Sequence, residues 1–279
     1  MSVRQPAVAG TFYPGEESEL RRELRALVPP AARGPALAAV APHAGYAYSG
    51  KVAGAVYASL EVPRDVVILC FNHRGEGADF AVWPEGAWRT PLGAAPVNAE
   101  LAKRIRDAFP AAEFDEAAHE GEHSGEVQVP FLQHVRPDVR IVPVALSGGL
   151  GERSCGQLRA FGEALAGVAG DFLVVASTDL NHFEDQHTTV EKDQAVIRPM
   201  ERLDAEGLRE AILSRDVSMC GYAPVLAALA YAKARGATAA RTVMHLTSGD
   251  VTGDFDRVVG YVGMIVPCGS SSGRTPAAN

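Results

Sequence analysis

Short apolar runs rich in Val and Ile alternate along this chain with longer segments whose apolar residues recur at helical spacing. The runs cover residues 37–41, 65–71, 139–146, 171–177 and 258–266. Most span eight residues or fewer, and they are apolar nearly throughout, the pattern of strands buried on both faces. Between them lie amphipathic segments at 19–27, 51–60, 98–109, 151–168, 203–213 and 223–232. Strands alternating with helices predict an α/β fold, in which a central mostly parallel or mixed sheet is flanked by helices. No repeat or linker divides the chain, so one domain is expected over residues 1–267. The stretch 76–96, rich in Gly, Pro and Trp, reads as a loop or short hairpin within it. The small polar tail at 268–279 is expected to be disordered.

Charge removes one class of function. Of the 279 residues, 26 are Lys or Arg and 34 are Asp or Glu, giving a formal charge of −8. A nucleic-acid binder needs a basic face to displace counterions from phosphates, and no basic run is present. The cysteines at 70, 155, 220 and 268 are scattered, with no C-x-x-C pair. That usage fits a reduced, cytoplasmic chain. The N-terminal MSVRQPAVAGTFYPG has no apolar h-region, and no apolar run approaches the roughly 18 residues of a membrane span, so a soluble protein without membrane contact is expected.

Open α/β sheets gather ligands at the carboxyl ends of their strands. Here the first run is followed by APHAGYAYSG with His43, the second by NHRGEG with His73, and the fourth by TDLNHFED with Asp179 and His182. Two further segments carry chemistry. AHEGEHSGEVQVPF holds Glu122, His123 and Glu126, and MCGYAPV puts Cys220 at a predicted helix start, where unpaired N–H groups would lower a thiol pKa and favour the metal-binding thiolate. Two neutral imidazoles with one anionic ligand make a facial set that leaves positions open on a metal. Asp179 or Cys220 could supply the anion, and spacing does not choose between them. Phosphate-binding glycine loops and a G-x-S-x-G elbow are absent. The aspartates of SGDVTGDFDRVVGY lack calcium-loop spacing and read as a turn feeding the last strand, with Asp250 and Asp254 bonding local backbone N–H groups.

Seven ordered motifs resemble the MEMO family: R-x-P-A-V-A-G-T-F-Y-P from Arg4, A-P-H-A-G-Y-x-Y-S-G from Ala41, N-H-x-G-x-G from Asn72, E-H-S-x-E-V-Q-x-P-F from Glu122, S-x-D-x-x-H from Ser177, C-G-Y-x-P from Cys220 and S-G-D-V-T-G-D from Ser248. The resemblance runs from Arg4 to about Val266. It implies a fold like that of the class III extradiol ring-cleaving dioxygenases (LigB-like), related to the catalytic subunit of protocatechuate 4,5-dioxygenase. Those enzymes hold non-haem Fe(II) on two histidines and a glutamate. Carried over by motif, the metal ligands would be His43, His73 and Cys220, the acid/base histidine His182 with Asp179 beside it, and a further pocket histidine His123. A thiolate in place of the carboxylate tilts such a site toward copper, zinc or a more electron-rich iron. Prokaryotic members more often read G-P-N-H-x-G-x-G where this chain has FNHRGEG. The resemblance also implies partners of the radical SAM and AMMECR type, the AmmeMemoRadiSam system.

These observations lead to the expectation of a metal-dependent oxidoreductase, with non-haem iron (Fe2+) first and copper or zinc as alternatives, acting on a small phenolic substrate. The competing expectation is a metal- or peptide-binding partner protein without turnover. Metal-assisted hydrolysis would tolerate the same ligands.

Overall fold

Along the strand Ala36–Ala41, successive side chains leave the sheet on opposite sides. Ala38 and Val40 enter a core with Leu158, Val196 and Leu226, whereas Ala39 and Ala41 meet Leu24, Tyr57 and Phe131 on the other face. The neighbouring strands divide in the same way, Val67 and Leu69 to one side and Val66 and Ile68 to the other. Burial on both faces is what the near-continuous apolar runs require. The result is a sheet between two helical layers, seen in a computed structural model that describes residues 2–268.

Four strands form the parallel centre, in the order Ala36–Ala41, Phe172–Ser177, Asp65–Phe71, Arg140–Leu146. Both flanks are antiparallel. Val258–Pro267 pairs with Ala36–Ala41 and carries His182–Glu184 and Arg241–Thr247, while Phe80–Val82 pairs with Arg140–Leu146. The single α/β domain therefore has a mixed sheet. A second, small sheet joins Val3–Arg4 to the hairpin Ala87–Thr90 and Gly93–Pro96, so the second half of the Gly- and Pro-rich stretch is a hairpin while its first half adds Phe80–Val82 to the main sheet.

The five expected strands and six expected helices are present with ends shifted by a few residues. The helices are Glu17–Leu27, Tyr46–Ala58, Ala99–Ala108, Glu152–Ala166, Ala205–Arg215 and Tyr222–Ala234. Their ends follow local chemistry: the Asn98 side chain accepts from Leu101 N, and Asp204 accepts from Gly207 N, each satisfying a donor the first turn leaves open. Among the elements not foreseen are the helix Gln186–Glu201 and the strand Arg241–Thr247. The helix buries Thr189 and Asp193 in its first half, which breaks the apolar periodicity. The aspartate turn is as expected, with Asp250 accepting from Thr247 N and Asp254 from Asp256 N. Apart from Cys268, the tail expected to be disordered lies outside the described residues.

Parallel strands end on the same edge. Ala41 pairs with Ser177, so His43 and Asp179 each stand two residues beyond a matched pair, and His73 stands two beyond Phe71 on the adjoining strand. The polar strand ends therefore collect at one edge of the sheet.

Candidate metal centre

His43, His73 and His123 each offer a ring nitrogen within 4.8 Å of the other two, a group that could hold a metal ion. The first two follow strands. His123 follows the short helix Ala117–Glu120 and precedes the helix Gln128–Val135. The rings stand 4.9 to 5.3 Å apart at their centroids, two of the three pairs edge-on.

Each ring is held from behind. Ser177 Oγ donates to Ser124 O at 2.7 Å and accepts from Gln128 Nε2 at 2.8 Å, so toward His43 Nδ1, at 3.1 Å, it acts as an acceptor. That assignment puts the proton on Nδ1 and leaves the Nε2 lone pair free. The Cys220 thiol donates to this Nε2 at 3.1 Å. Glu122 does the same work for two rings: its Oε1 accepts from His73 Nδ1 at 3.0 Å and lies 3.3 Å from His123 Nδ1. It also accepts from the backbone of His73 and Ser124 and from the Ser124 hydroxyl. Carboxylates and hydroxyls behind imidazoles are how metal sites orient their ligands.

Charge at the site follows from burial and partners. Burial, then the neighbouring His123 and His73, hold His43 well below the usual histidine range, so it stays neutral. Burial also lowers His123 and His182. It pushes Glu122 up, but the hydrogen bond and charge of His73 and the donors of Ser124 together outweigh it and keep the carboxyl ionised. Asp179 is pushed up to about 7 by burial, against the backbone N–H groups of His43 and Ala44. Its Oδ1 accepts from those groups, and its Oδ2 lies 3.9 Å from His43 Nε2. His182 is held instead by Ser218, donating its ring Nδ1–H to Ser218 O at 2.9 Å and its backbone N–H to Ser218 Oγ at 2.8 Å.

The expected lowering of the Cys220 thiol is corrected. Cys220 precedes Gly221, the residue before the helix Tyr222–Ala234, and so sits behind the ring of unpaired N–H groups. Burial, and then the charge of Asp179, raise the thiol above its ordinary range. A nearby cation is therefore required for it to ionise near neutral pH. Gly221 sets its position: a Cβ there would lie 2.3 Å from Ser177 O, so only glycine lets this turn lie against the strand end.

The other expected site residue, Glu126, belongs elsewhere. Buried, it pairs with Arg4 at 2.6 Å and accepts from Ala7 N, Val8 N and Tyr13 Oη. This latch folds the N-terminal arm over the domain and delivers Phe12 against His123, with ring centroids 5.0 Å apart. The R-x-P-A-V-A-G-T-F-Y-P and E-V-Q segments are thus two halves of one clasp. Sequence reasoning did not single out Ser218, Tyr48, Phe183 or Arg257, although Tyr48 lies in the motif of His43, Phe183 beside His182 and Arg257 in the aspartate turn.

His43, His73, His123, Asp179, His182 and Cys220 border one cavity of about 540 Å3, walled also by Phe12, Tyr48, Phe183, Arg257 and Tyr261. A space of this size suits a small ligand. Among the described residues no helix is long and apolar enough to cross a membrane.

Comparison with known proteins agrees with the motif order. The family model described as "Memo-like protein" matches residues 4–265. The chain is 41% identical to a MEMO1 family protein of Thermotoga neapolitana, across 95% of this chain and 99% of that one. It is 40% identical to one from Aquifex aeolicus, with 95% and 99% covered, and 38% identical to one from Ignicoccus hospitalis, with 96% and 99% covered. The crystal structure of uncharacterized protein JW3007 from Escherichia coli K12 matches with a TM-score of 0.47 at 18% identity, over 72% of this chain and 87% of that one. A match of this length, with the family's motifs gathered around a single cavity, makes the chain a member of the Memo-like (MEMO1) family.

Proposed function

We propose that this protein is a metal-dependent oxidoreductase, built on the pattern of the class III extradiol dioxygenases and acting on a small phenolic substrate. The observation that carries the reading is the trio His43, His73 and His123, two of them backed by Glu122, with ring nitrogens within 4.8 Å of one another. Cys220 is the anionic donor. Metal distances of about 2.3 Å to sulfur and 2.1 Å to nitrogen put two adjacent ligands roughly 3.1 to 3.6 Å apart. The Cys220 Sγ to His43 Nε2 separation of 3.1 Å falls in that range.

His43, His73 and Cys220 would hold the ion, with His123 as a fourth donor or a pocket acid. Ferrous iron at such a site supplies electrons for dioxygen chemistry and Lewis acidity toward a phenol; copper and zinc suit the same donors. His182, its Nδ1 proton committed to Ser218, presents Nε2 as the base for a phenolic proton. Phe12 and Tyr261 give the cavity aromatic walls. Asp179 fixes the His43 backbone and, with its raised pKa, can take up a proton near neutrality.

A second reading, metal or peptide binding without turnover alongside radical SAM and AMMECR-type partners, draws on the exposure of Tyr48 and Phe183 at the cavity mouth. The deciding experiment is elemental analysis and EPR of anaerobically purified wild type, His43→Ala and Cys220→Ala, each checked for folding by circular dichroism. Near-stoichiometric iron in the wild type, lost in both folded variants, supports the metal site. Metal retained in the variants overturns it. Oxygen uptake with a phenol panel then separates turnover from binding.

A further inference from the structure

Past the two-residue strand Val3–Arg4, the arm that runs on to Tyr13 is anchored chiefly at one carboxylate. Glu126 Oε2 accepts from Arg4 Nη1 at 2.6 Å and from Ala7 N at 2.7 Å, while its Oε1 accepts from Val8 N at 3.0 Å and from Tyr13 Oη at 2.7 Å. Arg4 and Tyr13 are buried, but every residue between them is exposed or half-buried. The arm closes on itself instead, with Thr11 N and Phe12 N donating to Val8 O and Gly10 N donating to Tyr13 O. A segment with few buried apolar contacts and one polar anchor belongs to the low-stability end of a fold, able to open as a unit while the core stays closed. What this arm touches are the segments that carry the candidate ligands. Arg4 donates to His119 O and Glu122 O, each at 2.7 Å, and so pins the irregular stretch that presents His123 and sets Glu122 behind His73. At the other end of the arm, Phe12 O accepts from Tyr46 N at 2.7 Å, at the start of the helix that follows His43, and the Phe12 ring lies against that of His123.

We infer that this arm is a brace of the metal centre: Arg4 and Phe12 are positioning residues for the His43 turn, Glu122 and His123, and docking of the arm and binding of the ion strengthen each other. Arg4 does not border the cavity and acts only through the stretch from His119 to Glu126. The docked arm spans from the His43 turn to the Glu122 and His123 stretch, so it holds two of the three histidines at the separation an ion requires. An ion that draws the rings together therefore favours the docked arm. Two events linked in this way raise each other's equilibrium by the same factor, because one coupling free energy serves both. The inference deepens the proposed function by naming what controls the affinity of the site, and it rests on that reading for the presence of an ion.

The test compares the full chain metal-free, loaded with Zn2+ under reducing conditions, and loaded anaerobically with Fe2+. Metal content is measured on wild type and on His43→Ala, which locates the ion. Hydrogen exchange is followed at the Ala7 and Val8 amides, whose protons bond to Glu126, and at the helix Ala99–Ala108 as a remote reference. A bound ion is expected to slow exchange of the arm about tenfold relative to the reference helix. The double variant Arg4→Met with Glu126→Met undoes the anchor without stranding a buried charge, and its metal affinity in chelator competition should fall by about the same factor while circular dichroism stays native. An arm that serves stability alone would lower the melting temperature and leave both readouts unmoved. The inference is overturned if the ion occupies the wild-type site with arm exchange unchanged, or if the folded double variant holds the ion as tightly as the wild type; the metal reading then stands. If the double variant does not fold, the wild-type exchange decides alone. A wild type that takes up neither ion, or no more than His43→Ala does, removes the metal reading and the inference together.

Discussion

At Ser177 one hydroxyl faces His43, Gln128 and Ser124 at once, and its single proton goes to Ser124 O. Removing it in Ser177→Ala leaves the His43 Nδ1–H and a Gln128 N–H buried without their acceptor. The cost should be about 1–3 kcal/mol in urea unfolding, with weaker metal retention because His43 loses its tautomer preference. Glu122→Gln removes the charge behind His73 and His123, and metal affinity is expected to fall about 10- to 100-fold in chelator competition. Phe183→Gly has a different signature. Phe183 holds a left-handed φ of 65°, which glycine takes freely, so thermal stability should hold or rise by the equivalent of about 1 kcal/mol. His43, His73, Asp179 and His182 were legible because parallel strands deliver their carboxyl ends to one edge. His123 as an equal partner was not, since it sits on an irregular segment whose path depends on Glu122. The Cys220 thiol was misjudged because proximity to a helix start does not by itself place a side chain in the helix field.

Among the elements, the arm from Arg4 to Tyr13 has the plainest energetic signature. Arg4 grips one stretch of chain at three points, donating to His119 O, Glu122 O and the Glu126 carboxylate, and it lies over Trp88 with its guanidinium carbon 4.3 Å from the ring centroid. Replacing it strands a buried carboxylate. Arg4→Met should cost about 3–5 kcal/mol by urea denaturation, whereas Glu126→Gln with Arg4 retained exposes the complementary loss. A destabilisation below about 1 kcal/mol, the range of exposed pairs, would show the arm to be loosely held. The central strands and most helices could be read from periodicity because their buried faces are apolar. The helix Gln186–Glu201 could not, because Asp193 is buried for its bonds to Asn181 N and His245. No local pattern announces a buried carboxylate whose partners lie on other elements.

For the whole molecule, acid should weaken the fold. His119 is buried between Trp83 and Trp88, donates Nε2–H to Ala81 O, and has no partner for Nδ1 among the described residues; burial brings its pKa down to about 4. The unfolded chain takes up this proton from about pH 6.5 downward and the folded chain only near 4. Its contribution is therefore complete above pH 6.5 and lost as pH falls through that window, amounting to about 3 kcal/mol. His43 acts in the same direction, while Asp179, raised to about 7, opposes them by favouring the fold more at low pH. Unfolding free energies measured from pH 7 to 4 should decline for the wild type, and the decline should be visibly shallower for His119→Phe. The topology carries a consequence for biosynthesis as well. Cys220 and His43 touch across 177 positions of sequence, and the strand Val258–Pro267 pairs with Ala36–Ala41, one of the first elements made. At roughly 5–20 residues per second, a ribosome needs on the order of ten to thirty seconds to carry the chain from the imidazole to the thiol. Throughout that interval the nascent chain presents histidines without their sulfur partner and a sheet without its flank. Any fragment released before residue 220 thus carries His43 and His73 without the thiol that meets His43 in the finished fold.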